Sequence, residues 1–579
     1  MKKHLFWFRY LIIPTMLLLF LSCIANKNAT GGQVTMVILD ATIWTGDAAA
    51  PKAEALAVCG DKIVAVGTTK QIKKLITDST TVIDGFGKFV TPGFIDSHLH
   101  FLTGGFQLAS VQLRDAQTPA EFIQRIKKYA EAVEPGSWIT GGNWNHKLWG
   151  GDMPCHDWID SVTTNNPVWI NRLDGHMALA NSLAMKIARI TKDIKDIDGG
   201  TIVRDAAGFP TGIFKDNAMY LIDRAVPEPS DEMKDRAIQA AMSYVAEHGV
   251  TSIQHMGGWD DLVVFERAHK NGKLKTRLSA AVPLSTWKEL KAKVAKEGNG
   301  DVWLRFGGLK GYADGSLGSH TAAFFQPFTD APKDSGLLVN SFEDLYSWTK
   351  NADQAGLQVI VHAIGDRANH LMLNIFESVS KENGERDRRF RIEHAQHLAA
   401  NDIPRFGQLH VIASMQPYHA IDDGCWAENV IGAERIRTTY AFRSLLDCGA
   451  KLALGSDWYV APPIPLQGIY AAVTRRTLDG KNPNGWVPDQ KITVTEALRA
   501  YTTDAAFASF EENVKGALKP GLLADFVMMD RDITAIPPEE IWNVQILMTV
   551  VGGKVIYKKI GPILCRPAKQ FISKVEIEN

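Results

Sequence analysis

The segment Thr91-Pro-Gly-Phe-Ile-Asp-Ser-His98-Leu-His100 is a short apolar run that ends in His-x-His. Residues two apart on an extended strand point the same way, so His98 and His100 project side by side, as a pair of nitrogen ligands for one metal ion. Three later segments have the same shape. Val359-Ile-Val-His362 and Phe390-Arg-Ile-Glu-His394 end in histidine, the second with an acidic neighbour, and Lys451-Leu-Ala-Leu-Gly-Ser-Asp457 ends in a carboxylate. Four apolar runs that stop at a His or Asp read as barrel strands delivering ligands to one mouth. Imidazole nitrogens with a carboxylate suit zinc or a similar divalent ion that keeps open positions for water. Such an ion lowers the pKa of water and polarises a carbonyl, and a carboxylate beside that water can take its proton. Asp457 is the candidate for that task. The chemistry is metal-assisted hydrolysis.

The elements that must hold these residues follow from the surrounding pattern. From 91 to 512 strand-like runs alternate with helical segments, the βα alternation of a parallel barrel. Val250–His255, Trp303–Lys310 and Val411–Gln416 are further candidate strands, and Asp231–His248 and Phe342–Ala355 are candidate helices. The stretch from about 101 to 249 is longer than one βα unit needs and is rich in Trp, Gly and Asn, so a subdomain inserted over the barrel mouth is expected. Residues 33–90 and 513–560 both read as short strands separated by turns. Each is thin for a core alone, and together they are expected to form one small β-sandwich.

Bulk composition narrows the function. The chain has 579 residues, 45% hydrophobic and 22% charged, with a formal charge of −1. That is an ordinary globular composition with no basic footprint for nucleic acid, and it leaves a small-molecule substrate. Lys2, Lys3 and Arg9 precede the apolar stretch Leu11–Leu21, which has the anatomy of a secretory signal peptide over residues 1–22. Phe20-Leu-Ser-Cys23 looks like a bacterial lipoprotein cleavage box, with Phe20 where leucine is usual. The expectation is an exported protein anchored in the membrane by a lipid on Cys23, facing the periplasm. An ordinary cleaved signal and an uncleaved anchor are the alternatives, and a homodimer stays open. Six cysteines without a Cys-x-x-Cys pair argue against a disulfide framework.

Taken in order, Pro92–His100, Asp314-Gly-Ser-Leu-Gly-Ser319, His362-Ala-Ile-Gly-Asp366, Glu393-His394-Ala, Gln416-Pro417, Gly455-Ser-Asp457 and Lys519-Pro-Gly-Leu-Leu-Ala-Asp525 resemble the amidohydrolase superfamily. The resemblance is to its YtcJ-like branch, which includes N-substituted formamide deformylase. It implies a distorted (β/α)8 barrel with a β-sandwich, and metal-dependent hydrolysis of amide or similar C–N bonds other than peptide bonds. Carried over, His98 and His100 bind the more buried metal, His362 and His394 a second, and Asp457 serves as ligand and proton shuttle. Lys310 stands where two-metal members carry a carboxylated lysine bridging the ions. A plain ion pair between Lys310 and Asp314 or another acid is the other reading, and one ion or two stays open. Arg172-Leu-Asp-Gly-His176 resembles a motif of the branch, so His176 is expected to hydrogen-bond the substrate. Gly142-Asn-Trp144-Asn145 and Asp314 are expected to line the pocket. His255 and His320 fit either a pocket or a structural role, and the orientations of His397 and His419, just past strand ends, are open. Hydrolysis of a cyclic amide, carbamate or ester, and a non-catalytic metal- or solute-binding lipoprotein on the same fold, are the competing functions.

Overall fold

Eight short runs rich in Val, Ile, Leu and Ala form a single all-parallel sheet in the computed structural model, which describes residues 33–560 and the backbone of 565–567. The expected leader and Cys23 lie outside the described residues. The strands are β1 (Phe94–Leu99), β2 (Val250–Met256), β3 (Arg277–Pro283), β4 (Leu304–Tyr312), β5 (Gln358–Ala363), β6 (Arg391–His394), β7 (Ile412–Met415) and β8 (Leu452–Leu454). Each pairs in parallel with the next in sequence. Both faces are covered, which is why these strands read as continuous apolar runs and not as alternating ones. Helices lie between consecutive strands. Asp231–Glu247 starts where Ser230 accepts a hydrogen bond from the backbone of Met233, with Asp231 and Glu232 in its first turn. Phe342–Gln354 starts in the same way at Ser341. β3 escaped the sequence reading because Arg277-Leu-Ser-Ala-Ala-Val-Pro283 is short of β-branched residues.

The barrel closes just beyond β8. Asp457 donates its backbone N–H to His98 O at 2.6 Å, and His100 donates to Trp458 O at 2.5 Å. Gly455 is required at this seam, because a Cβ there would sit 2.6 Å from His98 N. Asp96 stitches the same seam. Its Oδ1 accepts from Ser456 N at 2.9 Å and its Oδ2 from Ser456 Oγ at 2.5 Å.

Residues from both ends of the described chain share the flanking sheets. Phe89–Pro92 pairs antiparallel with Phe526–Met529 in a six-stranded sheet, which packs its apolar face against a five-stranded sheet that includes Met36–Leu39 and Ala55–Cys59. Asp525 joins this layer to the barrel. It takes a two-pronged ion pair from Arg277 at the start of β3 (2.6 and 2.9 Å) and a bond from Gly552 N at 2.7 Å. Between β1 and β2, the chain builds another five-stranded sheet, in which Val168–Arg172 lies between Ile139–Trp144 and Met177–Ala180. No helix among the described residues is long and apolar enough to cross a membrane.

Candidate metal centre

All five strand-end ligand candidates converge at the C-terminal mouth of the barrel, around a cavity of about 340 Å³. His98 is fully buried and its Nδ1 lies 2.5 Å from Glu393 Oε2. His394 Nδ1 lies 2.8 Å from Gln416 Oε1, and His362 Nε2 lies 3.0 Å from Gly315 O. Each partner is an acceptor, so each ring carries its proton on that side and leaves the other nitrogen with a free lone pair. Those nitrogens are His98 Nε2, His394 Nε2 and His362 Nδ1. The rings are neighbours, with centroids 4.9 Å apart for His98 and His394 and 4.5 Å for His362 and His394.

Asp457 Oδ1 stands among them, 3.4 Å from His98 Nε2 and 3.3 Å from His100 Nε2. It is buried and accepts no hydrogen bond. A desolvated carboxylate oxygen with no donor is costly unless a cation sits beside it. His98, His100 and Asp457 offer ligand atoms within 4.8 Å of one another, as do His394, His419 and Asp457, and nitrogens with an orphaned oxygen form a donor set that fits a divalent ion of the zinc type. His394 and Asp457 both take left-handed backbone, at φ 71° and 59°, conformations that cost other residues about 1–3 kcal/mol and here aim both side chains inward.

Electrostatics follow from this crowding. Burial pushes the Asp457 carboxyl up, but the neighbouring His98, His100 and His394 hold it well below the usual range. Burial, with Lys310 nearby, lowers His98 to about 4. Glu393 is raised by burial, yet Arg391 and His98 bring it down to about 2. Arg391 is itself buried. It donates from Nε to Glu393 Oε1 at 2.9 Å, from Nη2 to Ser97 O and Ser414 Oγ, and from Nη1 to Gln254 Oε1. Lys310, near the end of β4 and 3% exposed, brings Nζ to 3.4 Å from His98 Nε2. Burial lowers this ammonium to about 8.

The inserted segment roofs the cavity with Arg172, Asp174, His176 and Asp216. His176 faces the site, its Nδ1 2.7 Å from Asp216 Oδ1 and its ring 5.1 Å from that of His362. Asp174 pairs with Arg172 at 2.6 Å and accepts from Ser316 and Ser319, so the Asp314–Ser319 motif ties the insert to the barrel.

Two expected pocket residues stand elsewhere. Trp144 is fully buried in the insert, where its Nε1 donates to Ile170 O at 2.9 Å among Leu113, Phe122 and Ile159. An indole at that strand position fills the core, and its neighbour Asn145 is the one that reaches the cavity. Asp314 accepts the N–H groups of Ala323, Ile364 and Gly365 at 2.8–2.9 Å and lies 3.4 Å from His362 Nε2. It therefore holds the loop after β5 behind His362 and does not line the pocket, and no ion pair joins it to Lys310. His255 is structural, accepting from Phe101 N at Nδ1 and lying 3.1 Å from Asp261. His320 faces Asp330, and His397 faces Thr439 and Gln396. Glu393 and Gln416, which orient two of the ligands, were present in the motifs but gave no sign of their partners. His419, Tyr312, Tyr459, Asp422 and Asp423 also line the cavity.

The chain is similar to known proteins along most of its length. The chain is 41% identical to Protein LONG AFTER FAR-RED 3 of Arabidopsis thaliana, across 94% of this chain and 95% of that one. It is 27% identical to N-substituted formamide deformylase of Arthrobacter pascens, across 91% and 99%. Among solved structures, an uncharacterized metal-dependent hydrolase from Pyrococcus horikoshii superposes with a TM-score of 0.72 at 28% identity, covering 87% of this chain and 99% of its own. The profile of the amidohydrolase family matches residues 81–557, and with a donor set fit for a divalent ion at the mouth of its barrel, the chain belongs to that family.

Proposed function

We propose that this protein is a metal-dependent hydrolase of an amide or related C–N bond in a small molecule, with Asp457 as the proton carrier. The observation that carries the reading is Asp457 Oδ1, buried without a hydrogen-bond partner 3.4 Å from the lone-pair Nε2 of His98 and 3.3 Å from His100 Nε2. A bound divalent cation, zinc by its donor set, supplies Lewis acidity, lowering the pKa of water and polarising a carbonyl. His98 and His100 would hold one ion and His362 and His394 a second. Lys310, once carboxylated on Nζ, would add an anionic ligand to them, and its burial favours the uncharged amine which that modification needs. Asp457 accepts a proton at Oδ1 from the attacking water. As the C–N bond breaks, it passes that proton to the departing nitrogen. The cavity of about 340 Å³ beneath the insert suits a small substrate and excludes a folded polypeptide. The deformylase among the relatives supports a C–N bond, and an N-substituted formamide is the first substrate to offer.

The test is a panel of N-alkylformamides, cyclic amides, carbamates and esters, assayed with chelator-treated protein and again after zinc is restored. Zinc-dependent release of formate from a formamide supports the reading. Turnover of esters or cyclic amides alone would move the function to those classes, and turnover that survives chelation would overturn the metal role. Export as a lipoprotein anchored through Cys23 is part of the same proposal and rests on the N-terminal sequence.

A further inference from the structure

His419 lines this cavity, and neither the strand-end pattern nor the assigned machinery uses it. It stands in the helix Pro417–Asp423, directly after β7. Its backbone N–H donates to Gln416 O at 3.1 Å, and Gln416 is also the residue that anchors His394 through its side chain. The two rings consequently lie nearly parallel, at 9° with centroids 6.4 Å apart. One nitrogen of His419 falls within 4.8 Å of ligand atoms of both His394 and Asp457.

Two cavity-lining side chains thus each carry a buried polar atom without a partner, Asp457 at Oδ1 and His419 at Nε2. A cation answers the first, which is an acceptor. His419 lies within reach of the same cation, but a proton on Nε2 would instead seek an acceptor such as a carbonyl oxygen. His98, His362 and His394 each have one nitrogen held by Glu393, Gly315 O or Gln416, the arrangement that fixes a ring as a metal ligand. No residue among those described holds His419 in this way, so its proton is free to sit on Nε2.

We propose that His419 contacts the substrate itself, its Nε2–H donating to the oxygen of the scissile carbonyl on the side of the cavity facing Asp457. Nε2 donates either as this tautomer of the neutral ring or as the imidazolium, so the role does not depend on its titration. As water adds to the carbonyl carbon, the C=O electron pair moves onto that oxygen and the hydrogen bond strengthens. Water's proton goes to Asp457 and then to the leaving nitrogen, so the histidine gives up no net proton. The inference rests on the hydrolytic reading above and deepens it by naming the group that receives the carbonyl oxygen.

Methylphosphonate is a suitable probe, since its tetrahedral oxyanion resembles the adduct and its binding requires no turnover. Zinc-loaded full-length wild type, His419→Ala and His419→Gln would be titrated with it by calorimetry, with zinc counted by elemental mass spectrometry and folding checked by circular dichroism. The expected result is unchanged zinc content in both variants and affinity at least about tenfold weaker in His419→Ala, the worth of one hydrogen bond to a charged oxygen. His419→Gln, whose amide N–H reaches the same place, should recover most of that loss. Zinc lost from a natively folded His419→Gln protein would make His419 a metal ligand and overturn the proposal. Unchanged affinity in His419→Ala would overturn it too, as would a wild type that fails to bind the probe. Failure of the formamide panel alone would revise the substrate class and leave this binding result standing.

Discussion

Replacing Glu393 with glutamine changes one atom and should disable the site. Both oxygens of the carboxylate are committed as acceptors, Oε2 to His98 Nδ1 at 2.5 Å and Oε1 to Arg391 Nε at 2.9 Å. An amide has one acceptor. If its oxygen faces Arg391, its NH2 faces His98 Nδ1, which must then accept, so the ring proton moves to Nε2 and blocks the lone pair needed for metal. If its oxygen faces His98, two donors confront each other at Arg391. Either way a buried guanidinium, 1% exposed, loses its counter-charge. Losing a residue that orients a ligand typically costs about 10–100-fold in metal affinity, roughly 1.4–2.7 kcal/mol. Stranding a buried charge costs up to about 3–5 kcal/mol, reduced here because Ser97 O, Ser414 and Gln254 still accept from Arg391. Competition with a chromogenic chelator reads the first quantity and denaturant unfolding of the apo-protein the second. Zinc affinity within about twofold of wild type would refute the claim that Glu393 sets the tautomer of His98.

Asp457→Asn should keep the fold but lower kcat by at least about 100-fold at saturating zinc, the usual worth of a positioned proton carrier; steady-state kinetics on whichever panel substrate is turned over decides it, and near-normal kcat would remove the assigned role. Trp144→Ala should destabilise the protein by about 3–5 kcal/mol while leaving KM within a few-fold, because the indole fills the insert's core; a large KM change with unaltered thermal stability would return Trp144 to the pocket. Burial raises Asp423 to about 7 from 3.8, although Tyr440 and Gln396 donate to it. A carboxyl whose folded value is raised contributes its stability below the unfolded value and loses it as pH climbs through the folded one. Wild-type stability should therefore fall between about pH 4 and 7 by at most about 4 kcal/mol from this group, and Asp423→Asn should flatten that slope. Parallel melting-temperature curves for the two proteins over this range would contradict the assignment.

The convergence of the five candidate ligands was legible because a parallel barrel places such residues at the ends of apolar strands, where a His or Asp interrupts an otherwise buried run. His98, His100, His362, His394 and Asp457 all carry that local signal. Their supports carry none. Glu393 and His98 are 295 residues apart, and only the closed barrel makes them neighbours. Asp314 reads as a pocket acid beside a glycine-rich loop, yet its three bonds to backbone N–H groups come from segments nine to fifty-one residues away. Trp144 stands next to a true cavity residue, and the left-handed backbone at Gly141, Gly142 and Asn143 breaks the strand alternation, so the run Gly-Gly-Asn-Trp does not reveal which of two adjacent side chains turns to the cavity. His419 needed the orientation of a helix start after β7. β3 was missed because its run Arg277–Pro283 holds few β-branched residues.

The seam between Leu99 and Trp458 gives the ion a second part to play. The amides that close the cylinder belong to Asp457 and His100, and the oxygen that receives one of them belongs to His98, so the candidate ligands are also the staves that meet at the join. A cation gripping His98, His100 and Asp457 would be a clasp across the joint between the first strand and the last. That clasp could not be fastened until residue 457 had been made, long after His98, so metal capture would be the closing event of the barrel's assembly. Until then the half-made cylinder has an open edge and an incomplete set of ligands, and both are completed in the same step.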